Sequence, residues 1–600
     1  MLVDRLPDLD YSRLLAASRK IAHTPGKPSV KLALLSDAAT QQFVPILRAL
    51  LDRNGFSAEI YEGAFEAIEL EVYNPSSGLY AFEPDAVIIL NATQALRSSF
   101  ARRRASASEF ARETLARIMA IWSAIQSHSG ATIVQSTFAL PLERFFGNFD
   151  LKTPDSFYAV TRNLNSGIAE SSRQHRGVLL IDIECVASLV GRSRFFDDRF
   201  WDMWKTYCSL EVLPSVAQNL VDVLMATRGR GVKCVVLDLD NTLWGGVIGD
   251  DGLDGIRLNA HGDGEAWHRL QLFARELHRR GILLAVCSKN DERNALLPFE
   301  SHPEMVLRRD DITIFVANWK DKAENICAIR EALNIGFDTM VFLDDNPFER
   351  NLVRELVPGI IVPDLPEDPS DYVQFLTELN LFETAAFSGE DLRRAEMYKQ
   401  EAERRTTAAT FASVEEFLQS LEMRIRVARF DSYHLPRIAQ LIQRSNQFNL
   451  TTQRRGETEC ERLMHDNSAV PLYVELSDRL GDHGLISVVI LRKDDDELHI
   501  TDWLMSCRVL ARGVEQYVMN EVFALARQME ASRVTGRYIP TVKNGMVREF
   551  YAQFGFRRIS EIDNATTWTL ECESYIPAHV LIKPAEKDQA PGALCTARVK

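Results

Sequence analysis

The sequence predicts a multidomain α/β protein, and three observations carry that expectation. Two long stretches alternate short apolar runs with amphipathic helical segments, as strands covered by helices do. A third stretch opens with helices and turns into closely spaced strands joined by polar turns, the pattern of an α+β domain. Finally, 600 residues exceed what one hydrophobic core organises, so about three domains are expected.

The first block is expected over residues 1–225. KLALLS (31–36), DAVIIL (85–90) and GVLLIDI (177–183) are short apolar runs, separated by helical stretches such as VPILRALLDRNGF (44–56). The second block is expected over 230–368. It repeats the rhythm in CVVLDLD, ILLAVCS, TIFVAN, TMVFLDD and GIIVPDL, runs continuous enough for strands covered on both faces. Between the first two, Trp267, Leu270, Phe273 and Leu277 share one helical face. A doubly wound, Rossmann-like parallel sheet follows, with ligands at the carboxyl ends of its strands. The proline- and acid-rich PDLPEDPSDY (363–372) marks a boundary. The third block is expected over 380–578: residues 472–506 read as three strands with KDDDE as a tight turn, then a helix, then VTGRYIP and KNGMVREFYAQFGF. The polar stretch 579–600 is expected to be disordered.

Composition narrows the function classes. A net charge of −15 argues against non-specific nucleic-acid binding, and Arg102-Arg103-Arg104 reads as solvated surface. No stretch approaches about 20 uninterrupted apolar residues, so no membrane helix is expected. MLVDRLPDLDYSRLL has early acids and no long apolar run, and is not expected to be a secretion signal. The nine cysteines are scattered without CxxC pairs, which suits a reducing cytoplasm rather than a zinc or disulfide framework.

The chemistry concentrates in the second block. Asp238 and Asp240 lie two apart at the end of a strand, where alternate positions share a face. Other runs end in Cys287-Ser288-Lys289-Asn290 and Asp344-Asp345-Asn346, and Lys322 opens a helix. Brought to one sheet edge, these carboxylates need a hard dication with oxygen ligands, most simply Mg2+, which keeps them ionised. Ser288 and Lys322 would then hold phosphate oxygens, Asp238 would attack phosphorus, and Asp240 would serve as acid and base. Gly245 and Gly246 would let the chain turn away close to the metal.

DLDNTL, the serine after the second strand, the lysine and the DD after the fourth resemble the four ordered motifs of the haloacid dehalogenase (HAD) superfamily. LDLDNTLWGGVIGDDG, VCSKND, HPEM, NWKDKAENI and FLDDNPFER, over about residues 233–360, resemble its FkbH-like branch, subclass IIIC. The resemblance implies Asp238 as nucleophile and Asp240 as acid/base. It implies Thr242, Ser288, Lys289 and Lys322 around the substrate, and Asp238, Asp240 (through its carbonyl), Asp344 and Asp345 around Mg2+. It further implies a glyceryltransferase/phosphatase that dephosphorylates 1,3-bisphosphoglycerate, holds glyceryl on a cysteine and loads an acyl carrier protein for polyketide-type biosynthesis. Cys287 is the candidate thiol, with a pKa lowered by Mg2+ and Lys322. From Asp238 to Ser288 one loop and one helix leave no room for a cap domain, so the site is expected to be open.

The flanks carry weaker resemblances. SCRVLARGVE (506–515) resembles the pyrophosphate loop of GNAT acetyltransferases, with Ala511 in place of a glycine. That implies CoA or phosphopantetheine near Arg508, Arg512, Gly513, Asn544 and Tyr551, with Cys507 nearby as a rival thiol. The first block resembles the SGNH-like region of longer FkbH proteins, with Ser36 and Asn91 at the nucleophile and oxyanion positions. DDRFWDMW stands where an Asp-x-x-His would, so Ser36 lacks its base and a binding or scaffolding domain is expected. Two other functions compete: a plain phosphatase on a sugar or protein phosphate, and a non-catalytic acyl-CoA-binding scaffold.

Overall fold

The computed structural model describes residues 4–21, 27–386, 397–398, 400, 404, 411, 413–541, 543–562 and 564–585. Two compact units emerge, one of Met1–Ala395 with Arg454–Arg462, the other of Glu396–Gln453 with Leu463–Lys600. Among the described residues no helix is long and apolar enough to cross a membrane.

The first unit holds two parallel sheets. One has five strands, β1 (Ser29–Ser36), β2 (Ser57–Glu62), β3 (Ala86–Leu90), β4 (Thr132–Ser136) and β5 (Val178–Ile181), in the order β2-β1-β3-β4-β5. Its apolar runs are buried on both faces. Leu32, Leu34 and Ile88 join a core with the helices Val44–Arg53 and Leu213–Thr227, while Ala33, Leu35 and Val87 face the helices Ala107–His128 and Phe157–Gln174.

The second sheet comprises β6 (Cys234–Leu237), β7 (Leu283–Ser288), β8 (Ile312–Ala317) and β9 (Met340–Leu343), all parallel, in the order β8-β7-β6-β9. The helix Glu265–Arg279 buries Trp267, Leu270, Ala274 and Leu277 against it, with Phe273 at the margin. The expected fifth strand, GIIVPDL, is not one. Ile361 makes a single bridge to Val341 beside β9, and the run is hemmed by Pro358 and Pro363, which cannot donate to a ladder.

The second unit is built on a mixed sheet of nine strands. These are β10 (Arg424–Arg429), β11 (Phe448–Asn449), β12 (Ala469–Asp478), β13 (Gly481–Asp494), β14 (Glu497–Met505), β15 (Arg533–Tyr538), β16 (Arg557–Ile562), β17 (Ala565–Glu571) and β18 (Lys583–Pro584). The expected KDDDE turn joins β13 to β14, with Asp495 in the left-handed region at φ 48°. β14 and β15 run parallel only from Glu497 to Ile500, after which β14 pairs with β11 instead. KNGMVREFYAQFGF forms two short 3-10 turns. Part of the expected disordered stretch is ordered: Lys583–Pro584 pair with β10, through Lys583 N–H to the Met423 carbonyl. Residues 586–600 lie outside the described residues.

One carboxyl in the first unit titrates out of range. Asp222, on the helix Leu213–Thr227, accepts hydrogen bonds from Gln218 Nε2 (2.6 Å) and Asn380 Nδ2 (2.8 Å). Burial nevertheless pushes its pKa up from 3.8 to about 7. The folded state therefore keeps a proton that the unfolded chain has already released, and this contribution to stability declines as pH rises from about 4 to about 7. Asp222→Asn should raise the melting temperature relative to the parent increasingly across that window, measured by circular dichroism. A difference that does not change with pH would refute the shifted carboxyl.

Candidate active site

In a parallel sheet, ligands gather where the strand order reverses. In the second sheet that point lies beside β6, between β7 and β9. Asp238 follows β6, Ser288 ends β7 and Asp344 follows β9. Lys322 opens the helix Lys322–Leu333 after β8, where the Asp321 carboxylate caps the first turn by accepting the Ala323 N–H.

Lys322 binds these ends together. Its Nζ lies 2.9 Å from Asp238 Oδ1 and 2.6 Å from Asp344 Oδ2. Lys322 is 4% exposed, Asp238 5% and Asp344 0%. Burial alone would lower the ammonium pKa, but the two carboxylates raise it above its ordinary range, so Lys322 stays charged. Burial, with Asp238 beside it, pushes Asp344 up to about 6. Burial likewise raises Asp238 and Asp345 above the usual carboxylate range.

Among the described residues, oxygens of Asp238, Asp344 and Asp345 form a cluster within 4.8 Å that could hold a metal ion. Three carboxylates against one ammonium leave two negative charges, the deficit that one divalent cation removes. All-oxygen donors select a hard ion, so the residues fit Mg2+. The Asp344-Asp345 loop is itself braced. Arg350 Nη1 donates to the carbonyls of Asp344 (2.8 Å) and Asp345 (2.7 Å). The Thr242 hydroxyl accepts from Asp345 N (3.1 Å) and donates to Asp345 Oδ1 (3.3 Å).

Asp240 turns its carboxylate elsewhere. Oδ1 accepts from Trp244 Nε1 (2.9 Å) and Ile248 N (3.0 Å), and Oδ2 from Asn290 Nδ2 (2.9 Å). That leaves its main-chain carbonyl as the group it would offer a metal. The turn after it is locked by Asn241, at φ 56°, whose Oδ1 accepts the Gly246 N–H (2.9 Å). The two glycines answer to their neighbours more than to a metal. A Cβ on Gly245 would lie 2.4 Å from the Trp267 ring, and Gly246 sits at φ +95°.

The remaining expected residues fare differently. Ser288 is buried at the strand end. Lys289 is half-buried and paired to Glu349 Oε1 at 2.6 Å, so its charge is already matched. Cys287 is fully buried and its Sγ lies 3.7 Å from the Lys322 carbonyl. Burial above all, then the carboxylates of Asp238, Asp344 and Glu349, raise the thiol above its ordinary range against the pull of Lys322. Asn290, Trp244, Glu349 and Arg350 had no role assigned from the sequence. Only Asn290 carried a signal, as a polar residue at the end of a strand that already offers Ser288.

Outside this site the expected polar residues are internally engaged. The Ser36 hydroxyl donates to the Leu90 carbonyl (2.8 Å), and Asn91 donates to Asp37 (3.0 Å) and accepts from Gln135 (2.9 Å). In the second unit the residues expected around CoA or phosphopantetheine are engaged within the fold. Gly513 (φ +88°) precedes the helix Val514–Gln528, but the nearby Ala511 N–H is held by Glu515 Oε1 (3.1 Å), a carboxylate where a pyrophosphate would need to lie. Arg512 is buried 3.9 Å from Asp478, and Arg508 Nε donates to Ser506 Oγ. Asn544 ties down the carbonyls of Asn449 and Ile539, and Tyr551 is a core residue. The side chain of Cys507 lies outside the described residues.

Residues 31–225 match the family described as FkbH, N-terminal domain. A crystal structure of the N-terminal part of the protein BF1531 from Bacteroides fragilis, containing a phosphatase domain and complexed with Mg, is similar over 63% of this chain and 100% of its own, at 37% identity and TM-score 0.60. The ribosomal-protein-S18-alanine N-acetyltransferase from Escherichia coli is similar over 25% of this chain and 94% of its own, at 11% identity and TM-score 0.20. The spermidine N-acetyltransferase from Vibrio cholerae, in complex with CoA and spermine, covers 25% and 98%, at 15% identity and TM-score 0.21. Likenesses that slight decide nothing about the second unit. No curated protein matches the chain.

The carboxylate cluster makes a direct prediction. Saturating Mg2+ should stabilise the chain, by about 1.4 kcal/mol when the ion stands tenfold above its dissociation constant. Asp344→Asn should abolish the Mg2+-dependent rise in melting temperature. An equal rise in both proteins would remove Asp344 from the ligand set.

Proposed function

The chain belongs to the FkbH-like proteins of the HAD superfamily, and we propose that it removes phosphate from 1,3-bisphosphoglycerate and loads the glyceryl group onto an acyl carrier protein. The phosphatase half rests on one observation: a buried ammonium, Lys322, held between Asp238 and Asp344 at the reversal point of the sheet. Bound by Asp238, Asp344, Asp345 and the Asp240 carbonyl, Mg2+ would supply the positive charge that draws a phosphate dianion onto an acidic site. Lys322 and Ser288 flank the phosphate oxygens, with Thr242 bracing the metal-side loop. A carboxylate oxygen of Asp238 attacks phosphorus as the bond to the leaving oxygen breaks, giving an aspartyl-phosphate, and Asp240 protonates that oxygen. Water then attacks the aspartyl-phosphate, Asp240 takes its proton, and orthophosphate departs.

The transfer half follows from family resemblance. The Cys287 thiol would displace the acyl phosphate of the substrate: the C–S bond forms, the C–O bond breaks and phosphate leaves. The pantetheine thiol of an acidic carrier protein would then take the glyceryl group by thioester exchange, and the product would enter polyketide-type biosynthesis in the cytoplasm. One observation favours a second reading, a plain phosphatase on a sugar or protein phosphate: Cys287 is fully buried and its thiol is held protonated by that burial.

One experiment separates the two. The full chain with Mg2+ and 1,3-bisphosphoglycerate is followed by phosphate release and by intact-protein mass. Asp238→Asn should lower sustained phosphate release, beyond the single equivalent that Cys287 displaces, by at least about 1000-fold, as loss of a covalent nucleophile does. A glyceryl adduct that vanishes in Cys287→Ala supports loading; phosphate release without an adduct on any cysteine leaves the plain phosphatase. Undiminished release by Asp238→Asn would sink both.

A further inference from the structure

We infer that Asp240 transfers its proton from Oδ2 alone, and that Asn290 is the positioning residue that aims that oxygen. The inference rests on the phosphatase reading above and deepens it. A carboxylate oxygen has two in-plane lone pairs. Oδ1 spends both, one on the Trp244 indole N–H (2.9 Å) and one on the Ile248 amide (3.0 Å). Neither donor can accept a proton in return, so a proton on Oδ1 would break one of these bonds. Oδ2 accepts a single hydrogen bond, from Asn290 Nδ2 at 2.9 Å, and keeps one lone pair free. The proton given to the leaving group therefore sits on Oδ2.

Two separate segments fix this geometry. Trp244 is fully buried and Asn290 is 4% exposed, so neither donor turns freely. Asn290 stands just past Ser288, the last residue of β7, while Trp244 and Ile248 belong to the stretch that follows β6. Oδ1 is thus an anchor and Oδ2 the working oxygen. As the phosphorus–oxygen bond breaks, its electron pair stays on the leaving oxygen, which takes the proton from Oδ2, while phosphorus passes to Asp238. The same lone pair then accepts the proton of the attacking water.

Leaving-group dependence reads this out, because a poor leaving group needs the proton and a good one does not. The full chain with Mg2+ is assayed on 3-phosphoglycerate, an alkyl ester, and on p-nitrophenyl phosphate, comparing kcat/KM, which stops at leaving-group departure. In Asn290→Ala and the isosteric Asn290→Asp, kcat/KM for the alkyl ester should fall about 100-fold, the order of a lost general acid, and for the aryl ester under about threefold. Melting temperatures identify any variant that fails to fold, and the other then decides. A parallel fall on both esters, or no fall on the alkyl ester, overturns the inference while leaving the phosphatase reading standing. A parent chain that releases phosphate from neither ester nor from 1,3-bisphosphoglycerate overturns the phosphatase reading and this inference with it.

Discussion

The site depends on a lysine that is almost wholly out of water. An ammonium removed from solvent costs several kcal/mol unless opposite charges meet it at close range. Lys322 meets that condition twice, and its two partners come from the two strands that flank the reversal of the sheet. The ion pairs therefore do two things together. They close the carboxyl ends of β6 and β9 around the start of a helix, and they leave the cluster short of positive charge. A site that balanced its charges internally would have no electrostatic reason to take up a cation. This one, with three carboxylates to one ammonium, does.

The catalytic sheet was legible because its strands are buried on both faces, which compels continuous apolar runs, and because each run stops at a residue that no core would choose. Asp238, Ser288, Lys322 and Asp344 announce themselves in that way, and the structure brings their elements to one edge. What the sequence could not show is pairing across distance. Lys289 looked like a phosphate ligand because a cation beside Ser288 is cheap to imagine; Glu349, sixty positions on, takes its charge. Arg350 and Trp244 hold carbonyls and carboxylates through contacts that leave no periodic trace. GIIVPDL had the composition of a strand, and the prolines at 358 and 363 proved the better guide.

The flanking regions show how residues that resemble a site in sequence can have their polar groups consumed by the fold. Ser36 was expected at a nucleophile position, yet its hydroxyl is spent on the Leu90 carbonyl, and the Ala38 amide occupies its oxygen. The loop before Val514 has the left-handed glycine of an anion cradle, but Glu515 folds back onto it. A carboxylate and a pyrophosphate compete for the same N–H donors, and the covalently attached one is always present. Side chains committed in this way explain stability at those positions better than they explain chemistry.

The segment between Asp238 and Ser288 settles how the site is built. In many enzymes of open α/β design, specificity comes from an inserted element that covers the strand ends. Here Leu243, Trp244, Ile248, Ile256, Leu258 and Trp267 all join the core of the catalytic body, so the segment folds inward. Gly245 carries no side chain because the Trp267 ring occupies that space. That inward course is what delivers the Trp244 indole and the Ile248 amide to Asp240. A stretch that could have covered the substrate has instead been committed to holding the acid/base.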